Sequence, residues 1–129
     1  MSADNGIYIL KTKDGQYRVI HAMAIENLWW SGLEEKSKKE MVPTEILRYF
    51  GRSKYTRDYS LALRIAHSMA RREPILEYGV SDFYCNKTWR QIVEEGKQLA
   101  KLEIQKIKDD GREEREKWRL DILKTILEI

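Results

Sequence analysis

Two short runs near the N-terminus, 7–12 and 17–22, are mostly apolar and are rich in Ile, Val, Tyr and Thr. The runs flank Lys13-Asp14-Gly15-Gln16, and Asp-Gly tolerates the positive φ angles of a tight primed turn. The pattern therefore predicts a β-hairpin. In the first run Ile7, Ile9 and Lys11 share one face and Tyr8, Leu10 and Thr12 share the other. In the second run Tyr17, Val19 and His21 alternate with Arg18, Ile20 and Ala22.

Bulky apolar side chains occur at both sets of positions in this hairpin. An isolated hairpin is marginally stable in water and needs a third strand or a helix. We therefore expect helices or a partner chain to cover at least part of each face. The preceding Asp4-Asn5-Gly6 is typical of a turn that starts a strand, and the alternative is a ligand site built from its side-chain oxygens or backbone N–H groups.

Helical spacing of apolar residues follows in several segments. Met23 to Trp30 predicts a short helix, and the charge-mixed segment 31–40 predicts a solvated loop or a frayed helix. Pro43 suits the first turn of a helix that ends near Gly51. Another helix is capped by Thr56 or Asp58 and stopped by Pro74, and its apolar positions are Leu61, Ala62, Ile65, Ala66 and Met69.

A further strand is predicted from Ile75 to Cys85, with a bulge or a close backbone approach at Gly79. From Thr88 the chain is predicted to be helical to its end, with an interruption at Asp109-Asp110-Gly111. The expected fold is one α+β domain over 1–129. It has a small antiparallel sheet, made of the hairpin and the later strand, flanked by helices, and a long C-terminal helical arm over 88–129.

The helical arm carries narrow apolar stripes on highly charged helices, and such stripes suit packing against other helices within or between chains. Because the preceding domain is too small to cover both segments, we expect a homo-oligomer, a dimer or a hexamer. Trp29, Trp30 and Trp118 are expected in the core or at a subunit contact, and a ligand platform is the alternative for the Trp29-Trp30 pair.

Composition excludes several classes of protein. The 129 residues are 42% hydrophobic and 35% charged, with a net charge of only +3, so neither nucleic acid nor an anionic membrane is required as a partner. No apolar run reaches the ~20 residues of a membrane span, and the N-terminus lacks the order of a signal peptide. Single Cys85 fits a reducing cytoplasm, and two histidines with one cysteine cannot form an ordinary closed zinc site.

Catalytic and cofactor motifs are absent from the sequence: it has no nucleophile elbow, Walker loop, zinc spacing or GxGxxG. Cys85 would need a base beside it to act as a nucleophile, and His21 and His67 have no sequence link to it. A buried structural cysteine is the preferred interpretation. We therefore expect no catalytic residues, no metal, no cofactor and no enzymatic activity.

Cationic and aromatic residues recur together in the loop 52–57, with Tyr55 and Arg57, and at the junction 83–90. A purine ring stacks on an aromatic or guanidinium plane, and a phosphate binds a guanidinium fork or the free N–H groups of a helix N-terminus. Thr88 as N-cap and Arg90 in the first turn would supply both phosphate features. The alternative is that the aromatic rings are core and the arginines are solvated.

Four stretches, DNGIYIL, YRVIHA, ALRIAHSMA and ILEYGV, together resemble a family of small phage proteins, the Thoeris anti-defence sponges of the first type. The resemblance covers roughly residues 4–84. It implies a non-enzymatic protein in the cytoplasm of a bacterial host that sequesters cyclic ADP-ribose-type immune signals, and also cyclic di- and trinucleotides, in an oligomer. The host's NAD-depleting effector then stays inactive. It implies no membrane and no specific nucleic acid as partners.

The resemblance also implies roles for particular side chains. Phe83 or Tyr84 is expected to stack on the ligand, and Asn86 is expected to make a polar contact with it. Phosphate binding falls to Arg57 and Arg90, with Arg112 and Arg115 as further candidates. The C-terminal helices carry no matching motif, which leaves open where the family's arginine contacts lie.

Three other functions stay open from the sequence: a phage inhibitor that acts by direct protein contact (anti-CRISPR-like or a host-takeover factor), a weak nucleic-acid binder, and an enzyme that cleaves the signal.

Overall fold

The structure is a computed structural model that describes residues 4–23, 25 and 41–129. The chain forms two compact units. The first unit consists of Met1–Met41 and Ser53–Trp89, and the second unit consists of Val42–Arg52 and Arg90–Ile129. The strands are β1 (Asn5–Thr12), β2 (Tyr17–Met23), β3 (Tyr55–Thr56) and β4 (Val80–Cys85). The helices are α1 (Pro43–Phe50), α2 (Tyr59–Arg72), α3 (Trp89–Asp109) and α4 (Lys117–Leu127).

The predicted hairpin is confirmed. Strands β1 and β2 pair in antiparallel register, with Ile9 opposite Val19. The turn differs from the expected primed type because only Gly15 of the Asp-Gly pair has a positive φ, 77°. Its backbone N–H donates to the Thr12 carbonyl at 3.1 Å. Longer hairpin loops place a single glycine in this left-handed conformation.

The sheet has the order β3-β2-β1-β4. The short strand β3 lies within the segment expected to be a loop, and it pairs antiparallel to β2 with Tyr55 opposite Arg18. Strand β4 pairs parallel to β1, with Phe83 opposite Leu10. The α+β class is therefore confirmed, and the sheet is mixed where the sequence predicted antiparallel pairing throughout. Parallel neighbours require a crossover connection, which the intervening helix α2 supplies.

Strand β4 begins five residues later than predicted, because the chain before it is held by Asn5. The Asn5 side-chain amide donates to the Ile75 carbonyl at 3.0 Å and its oxygen accepts the Glu77 N–H at 3.1 Å. Gly79 then turns the chain into β4 with a φ of 64°. The polar atoms of Asn5 therefore serve the fold. Asn5 and Gly6 already belong to β1, and of the Asp4-Asn5-Gly6 stretch only Asp4 has a positive φ, 48°, so the predicted turn is wrong for its last two residues.

Helix α2 covers one face of the sheet. The Asp58 carboxylate caps it by accepting the Ser60 N–H at 3.0 Å, which confirms one of the two predicted caps. Ala62 and Ala66 are fully buried in one cluster with Ile7 and Ile9. Tyr8 and Leu10 are buried too, so both faces of β1 are covered, as the bulky apolar residues on both of its faces predicted.

The second unit consists of α1, α3 from Arg90 onward, and α4. Pro43 starts α1 and the helix ends at Phe50, as predicted. The predicted break between the arm helices is confirmed, since α3 ends at Asp109 and Gly111 has a φ of 65°. The buried apolar residues of this unit include Ile46, Leu47, Phe50, Ile92, Ala100, Ile107, Leu120, Leu123 and Ile126.

Two predicted segments lie largely outside the described residues: the helix over Met23 to Trp30 and the loop 31–40. Of the first segment, Met23 ends β2 and Ile25 is buried. Trp29 and Trp30 fall there as well. Whether the two units form one domain stays a prediction. Across the described ranges, every helix is too short or too polar to cross a bilayer.

Close packing at Gly96 yields a stability prediction. A Cβ there would collide with the Leu47 side chain and lie 3.2 Å from the Pro43 carbonyl oxygen. Gly96→Leu should therefore lower the free energy of unfolding by about 1–3 kcal/mol through overpacking. Urea denaturation followed by circular dichroism measures this. Lys101→Leu, at an exposed position of the same helix, should change it by less than about 0.5 kcal/mol, and equal effects of the two variants would contradict the packing.

Candidate functional site

The alternation of β4 separates the two aromatic residues predicted to stack on a ligand. Phe83 is only 4% exposed, and its ring lies 5.4 Å from the ring of Tyr8. It is therefore a core residue without an accessible ring face, which corrects the stacking role expected of it. Tyr84 is 61% exposed, and as the next residue it points to the opposite face of the sheet.

Tyr84 lies on the face that α2 covers, next to Lys11 in the register of β1 and β4. Its hydroxyl and the side-chain oxygen of exposed Asn86 are 3.5 Å apart. On the same face, the Asp82 carboxylate accepts the Tyr59 hydroxyl at 2.7 Å and pairs with the Lys11 ammonium at 2.9 Å. These contacts join α2 to β1 and β4.

Three of the predicted phosphate ligands belong to the second unit. Arg90 pairs with Glu94 at 3.2 Å one helical turn away, and Arg112 pairs with Asp110 at 3.2 Å and Glu116 at 2.7 Å. Arg115 is exposed. Surface pairs of this kind leave the cations accessible, and their role in ligand binding stays a prediction.

Arg18 is the most unusual charged residue of the first unit. It is only 6% exposed, and it makes no ion pair with any described residue. Its guanidinium lies 3.6 Å from the centroid of the Trp89 ring and 5.1 Å from that of Tyr55. Such contacts stabilise a desolvated cation by about 2 kcal/mol. Burial lowers the pKa of Arg18, and electrostatic interactions with Tyr55 and Asp14 oppose this lowering only in part.

The hydrogen bonds of Arg18 connect separate parts of the chain. Nη1 donates to the Ser53 carbonyl at 2.6 Å and Nη2 donates to the Gln16 side-chain oxygen at 3.1 Å. Buried Nε has no partner in the described part of the chain. One guanidinium thus holds the hairpin turn and the segment before β3 in place.

Arg57, a predicted ligand residue, lies beside this stack. Its Nη1 donates to the Asp14 carbonyl at 2.8 Å, and its guanidinium is 5.9 Å from the Tyr55 ring. Tyr55 is 53% exposed. The structure therefore brings a fixed arginine and an accessible aromatic ring together at the turn end of the sheet. We call Asp14, Arg18, Tyr55, Arg57 and Trp89 the turn-end cluster.

Asp14 occupies the start of α3, where the sequence predicted a phosphate. Its Oδ1 accepts the Trp89 N–H at 3.2 Å and the Thr12 hydroxyl at 2.5 Å. Burial alone would raise the pKa of Asp14, but these hydrogen bonds and the charge of Arg57 outweigh it and hold the pKa below its ordinary value of 3.8. A carboxylate from the chain itself thus uses the first N–H group of this helix, and a phosphate site there is not supported.

The nucleophile and metal candidates are dispersed. Cys85 is buried, His67 is exposed on α2, and His21 contacts the Asn5 amide at 3.0 Å and the Glu73 carboxylate at 3.5 Å. Among the described residues, no three His, Cys, Asp or Glu side chains are grouped as metal ligands.

Sequence reasoning missed Arg18 and Asp14. Arg18 lies opposite buried Leu10. Because both faces of the predicted hairpin carry bulky apolar residues, an arginine inside it conflicts with the pattern. That conflict was a usable signal. The helix residue that Asp14 caps, Trp89, lies 75 residues further along the chain, and the sequence carries no sign of that contact.

No protein-family model, curated protein or solved structure matches this chain. Its function is therefore argued from the site itself and from the resemblance given above.

Asp14 gives a pH-dependent prediction. A carboxylate whose folded pKa is lowered stabilises the fold above its unfolded pKa, and that contribution is lost as the pH falls through the folded pKa. Asp14→Asn should lower the free energy of unfolding by about 0.3–1 kcal/mol at about pH 7, the range for a charge at a helix N-terminus. The difference from the unchanged protein should shrink below about pH 4.

Urea unfolding at several pH values measures this difference. Asp121→Asn removes the same charge from an exposed position of α4 and serves as the control. A deficit for Asp14→Asn that persists unchanged at about pH 2.5 would show that its ionised form does not stabilise the fold.

Proposed function

We propose that this chain binds a small anionic nucleotide at the turn-end cluster and holds it without chemical change. The ligand class is the one that the resemblance implies: cyclic ADP-ribose-type signals, with cyclic di- and trinucleotides as further members. Sequestration of such a signal in the cytoplasm of a bacterial host would keep Thoeris or a related antiphage defence from being triggered.

One observation carries this proposal: Arg57 is anchored and still has donors to offer. Its Nη1 is fixed on the Asp14 carbonyl, while Nε and Nη2 have no partner in the described ranges. A guanidinium forms its strongest contacts as a bidentate fork on phosphate. Because one hydrogen bond already orients the side chain, less conformational freedom is lost when a phosphate binds.

Tyr55 supplies the second element that a nucleotide needs. Its ring is half exposed, and the buried guanidinium of Arg18 lies 5.1 Å from its centroid. A base stacked on an aromatic side chain contributes about 1–3 kcal/mol. Arg18 acts here as a positioning residue, because its hydrogen bond to the Ser53 carbonyl fixes the segment that carries Tyr55.

Electrostatics at this end of the sheet favours an anion. Arg18 and Arg57 make no ion pair with the described residues, and exposed Lys54 lies next to Tyr55 in the chain. The carboxylates of Asp14 and of exposed Asp58, next to Arg57 in the chain, offset two of these three positive charges. The local excess of positive charge attracts a phosphate and speeds its association.

The energy required is within reach of such a site. Competition with a receptor requires roughly nanomolar affinity, about −12 kcal/mol. Charge-assisted hydrogen bonds contribute about 1.5–3 kcal/mol each, so several of them with one or two stacked bases are needed. Two subunits that share a pocket would supply more of both. Exposed Leu99, Leu102 and Trp118 support a homo-oligomer, a dimer or a hexamer.

A depletion experiment tests the proposal. Purified protein is incubated with a panel of cyclic ADP-ribose isomers and cyclic oligonucleotides and filtered, and both the filtrate and the heat-released material are analysed by chromatography. We expect one class of compound to disappear from the filtrate and to return intact on heating. Arg57→Ala and Tyr55→Ala should each weaken binding about tenfold to a hundredfold, whereas Lys101→Ala should leave it unchanged.

Other outcomes would contradict specific parts of the proposal. A new product after heating would indicate an enzyme. Loss of binding in Tyr84→Ala but not in Tyr55→Ala would place the ligand on the α2 face of the sheet. Depletion of no compound would remove the sequestering function altogether.

A further inference from the structure

The outward surface of α2 combines apolar residues with arginines that have no partner in the part of the chain that the structure describes. The helix buries Ala62 and Ala66 against the sheet, which directs a second set of residues away from it. We call this set the α2 outer face, and its members are Leu61, Arg64, Ile65, Ser68, Arg71 and Arg72. Five of the six are exposed and Ser68 is half-buried.

Apolar side chains are exposed where the sequence predicted a buried stripe. Leu61 is 38% exposed and Ile65 is 40% exposed, although both were assigned to the core-facing positions of this helix. They are four residues apart and therefore adjacent on the helix surface. Together with Arg64, Ser68, Met69 and Arg72 they line an open groove of about 360 Å³.

The charge of this helix has one sign only. Residues Tyr59–Arg72 contain no Asp or Glu, and Arg64, Arg71 and Arg72 make no ion pair or hydrogen bond through their side chains within the described ranges. Some exposed arginines elsewhere in the chain do form ion pairs: Arg48 with Glu45, and Arg52 with Glu128. The α2 outer face is thus an uncompensated cationic surface with an apolar strip in it.

We propose that the α2 outer face docks an acidic amphipathic helix of another protein. Such a helix places apolar side chains at i and i+4 into the groove over Leu61 and Ile65, and carboxylates beside them pair with Arg64, Arg71 and Arg72. Helices that bind grooves use this arrangement of anchors, and complementary charge raises the rate and specificity of association. This inference goes beyond the proposed nucleotide site.

Charge also argues against two other occupants. A second copy of the chain that docked on the same face through a two-fold axis would place the arginines of both copies next to each other. The repulsion between these positive charges disfavours such a dimer. A nucleic acid would pair with the arginines but would leave the exposed Leu61 and Ile65 without an apolar partner.

The α2 outer face and the turn-end cluster lie on opposite sides of the sheet. Helix α2 packs on the side of Ile7 and Ile9, whereas Arg18 and Tyr55 are register partners on the side of Leu10. Variants of one surface therefore leave the other in place, and the two proposals are tested independently.

The test uses a synthetic helical peptide of about 16 residues with Leu at i and i+4 flanked by Glu, labelled for fluorescence anisotropy. We expect it to bind the full chain, and we expect its Glu→Lys and Leu→Ser versions to bind at least about fivefold more weakly. The double variant Arg64→Glu/Arg71→Glu should lose at least about tenfold in affinity for the acidic peptide. Ile65→Ser should weaken it without changing the salt dependence.

Lys101→Glu, which reverses one exposed charge in the second unit, is the matched control and should not alter binding. Circular dichroism of each variant establishes that α2 is still folded. Equal binding by the unchanged protein and by Arg64→Glu/Arg71→Glu would overturn the inference. So would duplex DNA binding more tightly than the peptide, or a dimer in sedimentation that Ile65→Ser dissociates.

Discussion

Strand β1 is enclosed on all sides within its sheet. Its two edges pair with β2 and β4, and Ile7, Tyr8 and Ile9 are fully buried. Because successive side chains of a strand point to opposite faces, this one strand decides which residues of its neighbours meet. Ile9 lies on the face that α2 covers, and Leu10 lies on the opposite face, together with Arg18 and Phe83.

A buried arginine follows from this constraint. Position 18 lies opposite Leu10, so its side chain enters a covered face, where an isolated charge is costly. Aromatic contacts with Trp89 and Tyr55 and hydrogen bonds to Gln16 and Ser53 offset that cost. The same contacts order three segments that are distant in sequence. An apolar residue at this position would fill the space without connecting them.

Alternation and helical period identified most elements of the fold. Several features depend only on residues a few positions apart in the sequence, and the local pattern of apolar, turn and capping residues predicts such features. They are the hairpin, α1, the start of α2 and the break at Gly111. The direction of β4 was missed because strand direction depends on the crossover through α2. The late start of β4 was missed because Asn5, about 70 residues earlier, bonds the chain at Ile75 and Glu77.

The candidate site was predictable only in part, for the same reason. Arg57 and Tyr55 were found because they are adjacent in the chain, and their loop composition is distinctive. From the sequence, Phe83 and Tyr84 are equivalent candidates for stacking. Successive residues of β4 point to opposite faces of the sheet, however, so Phe83 is buried and Tyr84 is exposed. Which of the two residues is buried follows only from the register of β4 with β1.

The same alternation of side chains explains how a small unit can offer two surfaces of different chemistry. On the side of Leu10, the guanidinium of Arg18 is buried among aromatic rings, and a charge in such surroundings is screened less than a charge in water. On the other side, the arginines of α2 stand in water beside exposed Leu61 and Ile65, where screening weakens each charge. A surface of that kind gains affinity only by burying apolar area with several carboxylates at once. It therefore suits a protein segment more than a small ligand, and a nucleotide held on one face need not compete with a protein docked on the other.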